Sequence, residues 1–213
     1  MIKLYLLRHG KVSGPAALYG RTDIGVNETI NQVIVTTFIE QNLAIDKIYS
    51  SPLSRCRSLA KTLLAHHDVC TAELTIIDNF KEIYFGCYDG IAFDTLYQIP
   101  EKWRQLERFW QAPVEHTLPD AELLGDFYQR IVCAWQSLRQ DLFNDAITEQ
   151  NSSVLLVCHG GVIRMILAYI LDIYFGNARW FSQLDIGYGS LTTIELTQHS
   201  TVIKQIAQPL YNG

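Results

Sequence analysis

The residues able to do chemistry in this sequence stand at the ends of apolar runs. Leu4-Tyr5-Leu6-Leu7 stops at Arg8-His9-Gly10, and Val154-Leu155-Leu156-Val157-Cys158 stops at His159-Gly160-Gly161. Arginine, histidine and glycine add nothing to a core at such a point. They mark a reactive centre at the carboxyl end of a strand, where open α/β sheets bind ligands. Arg55 follows a third apolar run at 45–49, and Glu82 follows a fourth at 74–77. These residue types suit phosphoryl transfer. A phosphomonoester dianion needs fixed cationic donors, its phosphorus needs an in-line nucleophile, and the leaving alkoxide needs a proton. The planar guanidinium groups of Arg8 and Arg55 match phosphate oxygens in pairs. His9, neutral and oriented through its other nitrogen, is the candidate nucleophile. His159 is the candidate donor to the phosphoryl oxygens, assisted by backbone N–H groups of Gly160 and Gly161 at the start of a helix. Glu82 is the candidate acid for the leaving group. Glu73 and Asp78 are neighbouring carboxyls that compete for that role.

Each of these side chains also has an ordinary reading. A histidine after a buried strand often serves only as a structural hydrogen-bonder, and Arg55, like Arg57, can lie on a solvated helix face. Arg55 falls in the first turn of its helix, where a cation opposes the helix dipole, so a bound anion explains it better. Glu122 reads as a helix-start residue favoured by the dipole. Trp103, Phe109 and Trp110 read first as core, and only secondarily as groups that touch a substrate ring. Lys11 points either to the anion or to water. His66 and His67 lie near a helix end and read as solvated.

The elements that must position this set follow from apolar periodicity. Residues 2–7 form the first strand, and a glycine-rich loop at 10–26 carries Tyr19-Gly20-Arg21-Thr22-Asp23. Residues 27–41 have helical spacing at Ile30, Val33, Ile34, Thr37 and Phe38, with Asn27 as N-cap. After the 45–49 strand, Ser51 as N-cap and Pro52 at the first helical position start a helix to about His66, burying Leu59, Leu63 and Leu64. A short strand at 74–77 precedes the Glu82 turn. Residues 93–110 read as helical and aromatic, 112–120 as a loop, and 122–144 as the clearest amphipathic helix. The 154–158 strand, a helix at 162–171, a short helix near 177–184 and strands at 190–196 and 202–206 complete the chain. The strands ending at His9 and His159 are expected to lie side by side. Strands alternating with helices predict an α/β fold: a three-layer α-β-α sandwich around a mostly parallel central sheet, with an antiparallel edge strand from the last hairpin. A single domain over 1–213 is expected, with a helical insertion at about 92–122 covering the site.

The bulk numbers narrow the setting. At 213 residues, 48% hydrophobic and 11% aromatic, the chain suits one sizeable core and not disorder. A net charge of −5 gives no sign of nucleic-acid binding and makes a locally basic pocket more informative. Five cysteines, an odd number with no CxxC pair, suggest a reducing compartment and no zinc site. Only Lys3 precedes the first apolar run, too little for a signal peptide, and Arg164 and Asp172 interrupt the longest apolar stretch. A cytoplasmic protein without membrane contact, monomer or homodimer, is the expectation.

Arg8-His9-Gly10, the Ser51 to Arg55 stretch, Glu82 and His159-Gly160-Gly161 occur in an order, over almost the whole chain, that resembles the histidine phosphatase superfamily and its phosphoglycerate mutase-like fold. The resemblance implies a phosphohistidine intermediate on His9, with Arg8, Arg55 and His159 completing the phosphate pocket. It implies Glu82 as acid for the leaving group and then as base for water. It implies no metal and no cofactor, and a small phosphorylated substrate as the partner. Arg21 and Thr22 match the loop that lines the substrate side of the family's pocket, and Gly160 joins the substrate-binding set.

Within the superfamily the chain looks most like the α-ribazole phosphatase branch. Tyr19 to Asp23, Glu82-Ile83-Tyr84-Phe85-Gly86 and the aromatic segment from Trp103 to Pro113 carry that likeness, with Tyr88-Asp89-Gly90 in place of the more usual Trp-Glu-Gly. Lys11-Val12 stands where Glu-Thr is common, and Ala121-Glu122-Leu123 where Gly-Glu-Ser is usual. α-Ribazole 5′-phosphate is therefore the favoured substrate. A broad-specificity sugar-phosphate or nucleotide phosphatase, a phosphoglycerate mutase, and a catalytically silent phospho-ligand binder are the alternatives.

Overall fold

The computed structural model describes residues 1–66, 73–144 and 152–211, so His67 and Cys70 lie outside the described residues. In order, the elements are β1 (Ile2–Arg8), α1 (Glu28–Glu40), β2 (Lys47–Ser50), α2 (Ser54–Leu64), β3 (Leu74–Ile76), α3 (Phe93–Tyr97), α4 (Pro100–Gln111) and α5 (Leu124–Asn144). Then follow β4 (Ser153–Cys158), α6 (Gly160–Ile170), α7 (Ala178–Gln183), β5 (Ser190–Leu196) and β6 (Thr201–Pro209).

The six strands form one sheet in the order β3-β2-β4-β1-β5-β6. β1 is buried on both faces, and its side chains sort by parity, as the pleat requires. Leu4 and Leu6 pack with Phe127, Ile131 and Trp135 of α5 and Val162, Ile163 and Ile166 of α6. Tyr5 and Leu7 pack on the opposite face with Ile34 and Phe38 of α1 and Leu59 and Leu63 of α2. β4 repeats the pattern, with Leu156 on the first side and Leu155 on the second. This makes three layers, α-β-α. Each such leucine contributes about 1.5–3 kcal/mol by leaving water.

β1 pairs parallel with β4 in the register Arg8↔Cys158, which brings the next residues, His9 and His159, side by side. β2 also pairs parallel with β4, and β3 with β2. The antiparallel pairing is confined to the other end of the sheet, where β5 runs against β1 and β6 against β5. Among the described residues no helix is long and apolar enough to cross a membrane.

Of the boundaries that differ from the sequence reading, three have a local reason. α2 begins at Ser54 and not at Pro52, and its cap position, Leu53, offers no side-chain hydrogen bond. Ser51 is extended, with its N–H on the Val157 carbonyl at 3.0 Å and its Oγ accepting the Leu53 N–H at 3.4 Å, and the first helical carbonyl is that of Leu53, which accepts from Cys56 and Arg57. The orphan Ser54 N–H is met from outside the helix by Asp23 Oδ1 at 2.6 Å. The single helix expected at 93–110 is two. Pro100 lacks an N–H and forces Ile99 into an extended conformation (φ −117°, ψ 92°), so α3 ends and α4 restarts with Pro100 at its first position. β6 is longer than expected because its pairing with β5 runs on to Pro209 opposite Ser190.

α3 and α4 build a small core of their own from Tyr88, Leu96, Leu106 and Leu118. The segment is tied to the glycine loop by Phe93 N–H to the Ala16 carbonyl at 2.8 Å and to the Glu82 turn by Cys87 N–H to the Pro119 carbonyl at 3.0 Å. Gly86 makes the second tie possible. Its φ is +56°, and a Cβ there would collide with the Pro119 carbonyl oxygen.

Candidate active site

A cavity of about 350 Å³ opens at the carboxyl ends of β1 and β4. Arg8, His9, Glu82, Gly160, Gly161, Arg164 and Tyr188 give it a polar floor, and Phe85, Phe109, Trp110, Phe127 and Phe181 are among its aromatic walls.

His9 is buried, and its Nδ1 lies 2.8 Å from the Gly10 carbonyl oxygen. A carbonyl only accepts, so Nδ1 carries the hydrogen and Nε2 keeps its lone pair. Burial, then the charges of Arg55 and Arg8, push the His9 pKa well below its ordinary value. The ring is therefore held neutral in the tautomer a nucleophile needs.

His159 is fully buried, with its ring centroid 5.2 Å from that of His9. Arg55 Nε donates to His159 Nδ1 at 3.2 Å. A guanidinium cannot accept, so the hydrogen of the neutral ring sits on Nε2, 2.7 Å from Ser51 Oγ, which it meets as donor. Burial, then Arg55, holds the His159 pKa well below its usual value too. Both His159 nitrogens thus have protein partners, Arg55 at Nδ1 and Ser51 at Nε2.

Arg55 is likewise fully buried and does not line the cavity. Its Nη1 donates to the Thr22 carbonyl at 2.9 Å and its Nη2 to the Tyr19 and Gly20 carbonyls at 3.2 and 2.6 Å. Its charge is one of the causes that lower the His9 pKa. Of Arg55 and Arg8, Arg8 is the one at the floor, with Arg164 beside it. Its guanidinium bonds the Ile186 carbonyl and stacks 3.8 Å from the Tyr188 ring centroid, while its buried Nε has no hydrogen-bond partner. The position a Gly160 Cβ would take is 3.2 Å from that Nε and 3.3 Å from Arg164 Nη1. Glycine at 160 is what lets both cations close on one point.

Glu82 accepts from Ile83 N–H at 3.0 Å and from Gly161 N–H, in the first turn of α6, at 2.9 Å. A Cβ on Gly161 would collide with this carboxylate. Asp78 instead pairs with Lys81 at 2.8 Å, and neither Asp78 nor Glu73 lines the cavity. Arg21 and Thr22, expected on the substrate side, lie outside the cavity. The Arg21 guanidinium reaches Glu122 at 3.4 Å, and Thr22 serves through its backbone. Glu122 is held by Arg130 through both oxygens at 2.9 Å and accepts the Tyr84 N–H at 3.3 Å, so it braces the Glu82 turn. Lys11 is exposed and outside the cavity. Phe109 and Trp110 line the cavity, whereas Trp103 packs behind them at 5.7 Å from Trp110.

Sequence reasoning missed Ser51, Asp89, Arg164 and Tyr188. Arg164 had a signal, since it falls one turn after His159-Gly160-Gly161 on the same helix. Asp89 had only its place in Tyr88-Asp89-Gly90. Tyr188 had none: it precedes β5, whose antiparallel pairing with β1, Leu7 opposite Leu191, brings it beside His9.

A neutral, oriented histidine beside an arginine whose buried Nε has no partner and a cavity carboxylate, at the carboxyl end of a largely parallel sheet, has the make-up of a phosphoryl-handling α/β site. The chain belongs to the histidine phosphatase superfamily (branch 1), which it matches over residues 4–209. It is 26% identical over 191 residues to a protein of Hydrogenobacter thermophilus provisionally named phosphoserine phosphatase 2, covering 87% of this chain and 86% of that one. Its fold is that of Bacillus stearothermophilus YhfR, with TM-score 0.79 at 22% identity, covering 96% of each chain. The α-ribazole phosphatase of Shigella flexneri shares the fold with TM-score 0.76 at 18% identity, covering 99% of this chain and 98% of that one.

Proposed function

We propose that this chain hydrolyses phosphomonoesters through a phosphohistidine on His9, with α-ribazole 5′-phosphate as the favoured substrate. The observation that carries the reaction is the tautomer of His9: Nδ1–H is tied to Gly10, which leaves the Nε2 lone pair at the cavity floor. In the first step Nε2 attacks phosphorus and the bond to the ester oxygen breaks. Protonated Glu82 gives its proton to the leaving alkoxide. In the second step the Glu82 carboxylate takes a proton from water, the water oxygen attacks phosphorus, and the N–P bond breaks to release inorganic phosphate. Arg8, Arg55 and the Gly160 turn hold the phosphoryl oxygens, and His159 stabilises them as they gain charge. No step calls for a metal.

The choice of alcohol rests on the cavity walls. Phe85, Phe109, Trp110, Phe127, Phe181 and Tyr188 favour a flat, largely apolar group over a small charged one such as serine or glycerate. The chain works as one domain in this reading, with the 92–122 segment as the cover that supplies Phe109 and Trp110.

Two measurements test it. Mixing with substrate and quenching in alkali should trap an acid-labile phosphoenzyme, and His9→Ala should lose both this adduct and turnover of aryl phosphates. Normal turnover by His9→Ala would end the proposal. A panel of monoesters should rank α-ribazole 5′-phosphate above phosphoserine, 3-phosphoglycerate and hexose phosphates; the reverse order would move the substrate while leaving the chemistry in place.

A further inference from the structure

Asp89 does not line the cavity, but its carboxylate is the most heavily used acceptor beside it. Oδ1 takes the N–H groups of Gly20 and Thr22 at 3.3 and 2.9 Å, and Oδ2 takes those of Arg21 and Phe85 at 2.9 and 3.1 Å. Two of these N–H groups belong to the peptide units Tyr19–Gly20 and Gly20–Arg21. In a trans peptide the N–H and C=O point in opposite directions. The carbonyls of those same two units are the ones that receive Arg55 Nη2. Each peptide plane is therefore clamped between the Asp89 carboxylate and the Arg55 guanidinium. Arg55 in turn donates to His159. The fourth N–H, from Phe85, ties the same carboxylate to the turn that carries Glu82. Gly20 is buried in this clamp, where an added Cβ would meet the Ile83 carbonyl oxygen and Asp89 Oδ2.

We infer that Asp89 is the positioning residue for Arg55, acting through the two peptide groups of the 19–21 loop, and that it couples this loop to the Glu82 turn. The inference rests on the phosphoryl chemistry proposed for His9. The physical reason is acceptor count. A carboxylate has room for four N–H donors, whereas the amide of Asn offers one acceptor atom and presents an NH2 to two donors that then have no partner. The loop would relax, its carbonyls would turn, and Arg55 would lose the frame that sets its distance to His9 and His159.

The test is a double-mutant cycle of Asp89→Asn and Arg55→Lys, read by aryl phosphate turnover and by calorimetric binding of inorganic phosphate. Lysine keeps the charge but cannot span three carbonyls. Asp89→Asn alone should lower turnover and weaken phosphate binding by roughly ten-fold or more, the scale of a misplaced catalytic group. In the Arg55→Lys background the same change should cost less than about two-fold, because coupled residues are not additive. Equal losses in both backgrounds, or no loss from Asp89→Asn, would overturn the inference. If the wild-type protein turns over no phosphomonoester, the proposed function fails, and the phosphate-binding cycle still decides whether Asp89 acts through Arg55. If Asp89→Asn does not fold, Asp89→Glu, whose longer arm shifts the loop without releasing it, enters the cycle with the same expected coupling.

Discussion

In the proposed reaction the two nitrogens of His9 do different work: Nδ1–H is held by the Gly10 carbonyl, which leaves Nε2 with its lone pair. Glu82 depends on an equally local condition. Its carboxylate accepts the Gly161 N–H only because residue 161 has no Cβ. Gly161→Ala should therefore displace the acid without touching the nucleophile. Turnover of alkyl monoesters, which need a protonated leaving group, should fall about 100-fold, within the usual contribution of a general acid. Aryl phosphates, which leave unaided, should lose far less. Equal losses on both, with an unchanged circular dichroism spectrum, would separate Glu82 from the acid role. Gly161 was legible as the second glycine of His159-Gly160-Gly161, but its reason was not, because the atom it makes room for is 79 residues away.

At the scale of elements, the histidine pair is a product of strand register. Arg8 opposite Cys158 puts His9 and His159 at adjacent strand ends, and a shift of one residue would turn every side chain of β1 to the wrong face. α4 supplies specificity in this reading. Trp110 lines the cavity and is held edge-on by Phe93 at 5.6 Å and Trp103 at 5.7 Å. Trp110→Ala should raise KM for an aromatic monoester about 2- to 10-fold, the range of a lost aromatic contact of about 0.5–1.5 kcal/mol. KM for a small alkyl phosphate should stay within two-fold. A parallel rise for both would mean that the cover, and not the ring, was lost. Helix existence was readable here from periodicity. The split between α3 and α4 was readable only through Pro100, and the start of α2 was not readable, since Ser51 and Pro52 satisfy every local rule for a helix start. The first helical bonds instead go to the Leu53 carbonyl, two residues on, while Ser51 Oγ accepts the Leu53 N–H.

The whole molecule carries the cost of keeping two histidines neutral inside it. Burial, with Arg55 and Arg8 adding to it, depresses both pKa values in the folded state. In the unfolded chain they titrate near 6.5. Below that pH the unfolded state binds more protons than the folded one, so stability falls as pH falls through about 6.5. The limit is about 1.4 kcal/mol per pH unit for each ring. Urea midpoints taken from pH 7.5 down to 5 should decline, and His159→Gln should make the decline shallower. A flat profile over that range would contradict neutral burial.

What the sequence determined by itself was the set of strand-end residues, the three-layer order of elements and the superfamily, because each rests on periodicity and on motifs a few residues long. Only the tertiary structure decided which of those residues face the cavity. The sequence names Arg55 and His159, but only the structure shows their polar atoms meeting the Tyr19, Gly20 and Thr22 carbonyls and Ser51. Asp89, Arg164 and Tyr188 enter the account only through contacts made in space. A side chain's chemistry is written in its type, but its partners are set by backbone groups far away in the chain, and those meet only when the sheet, the glycine loop and the Glu82 turn have closed on one another.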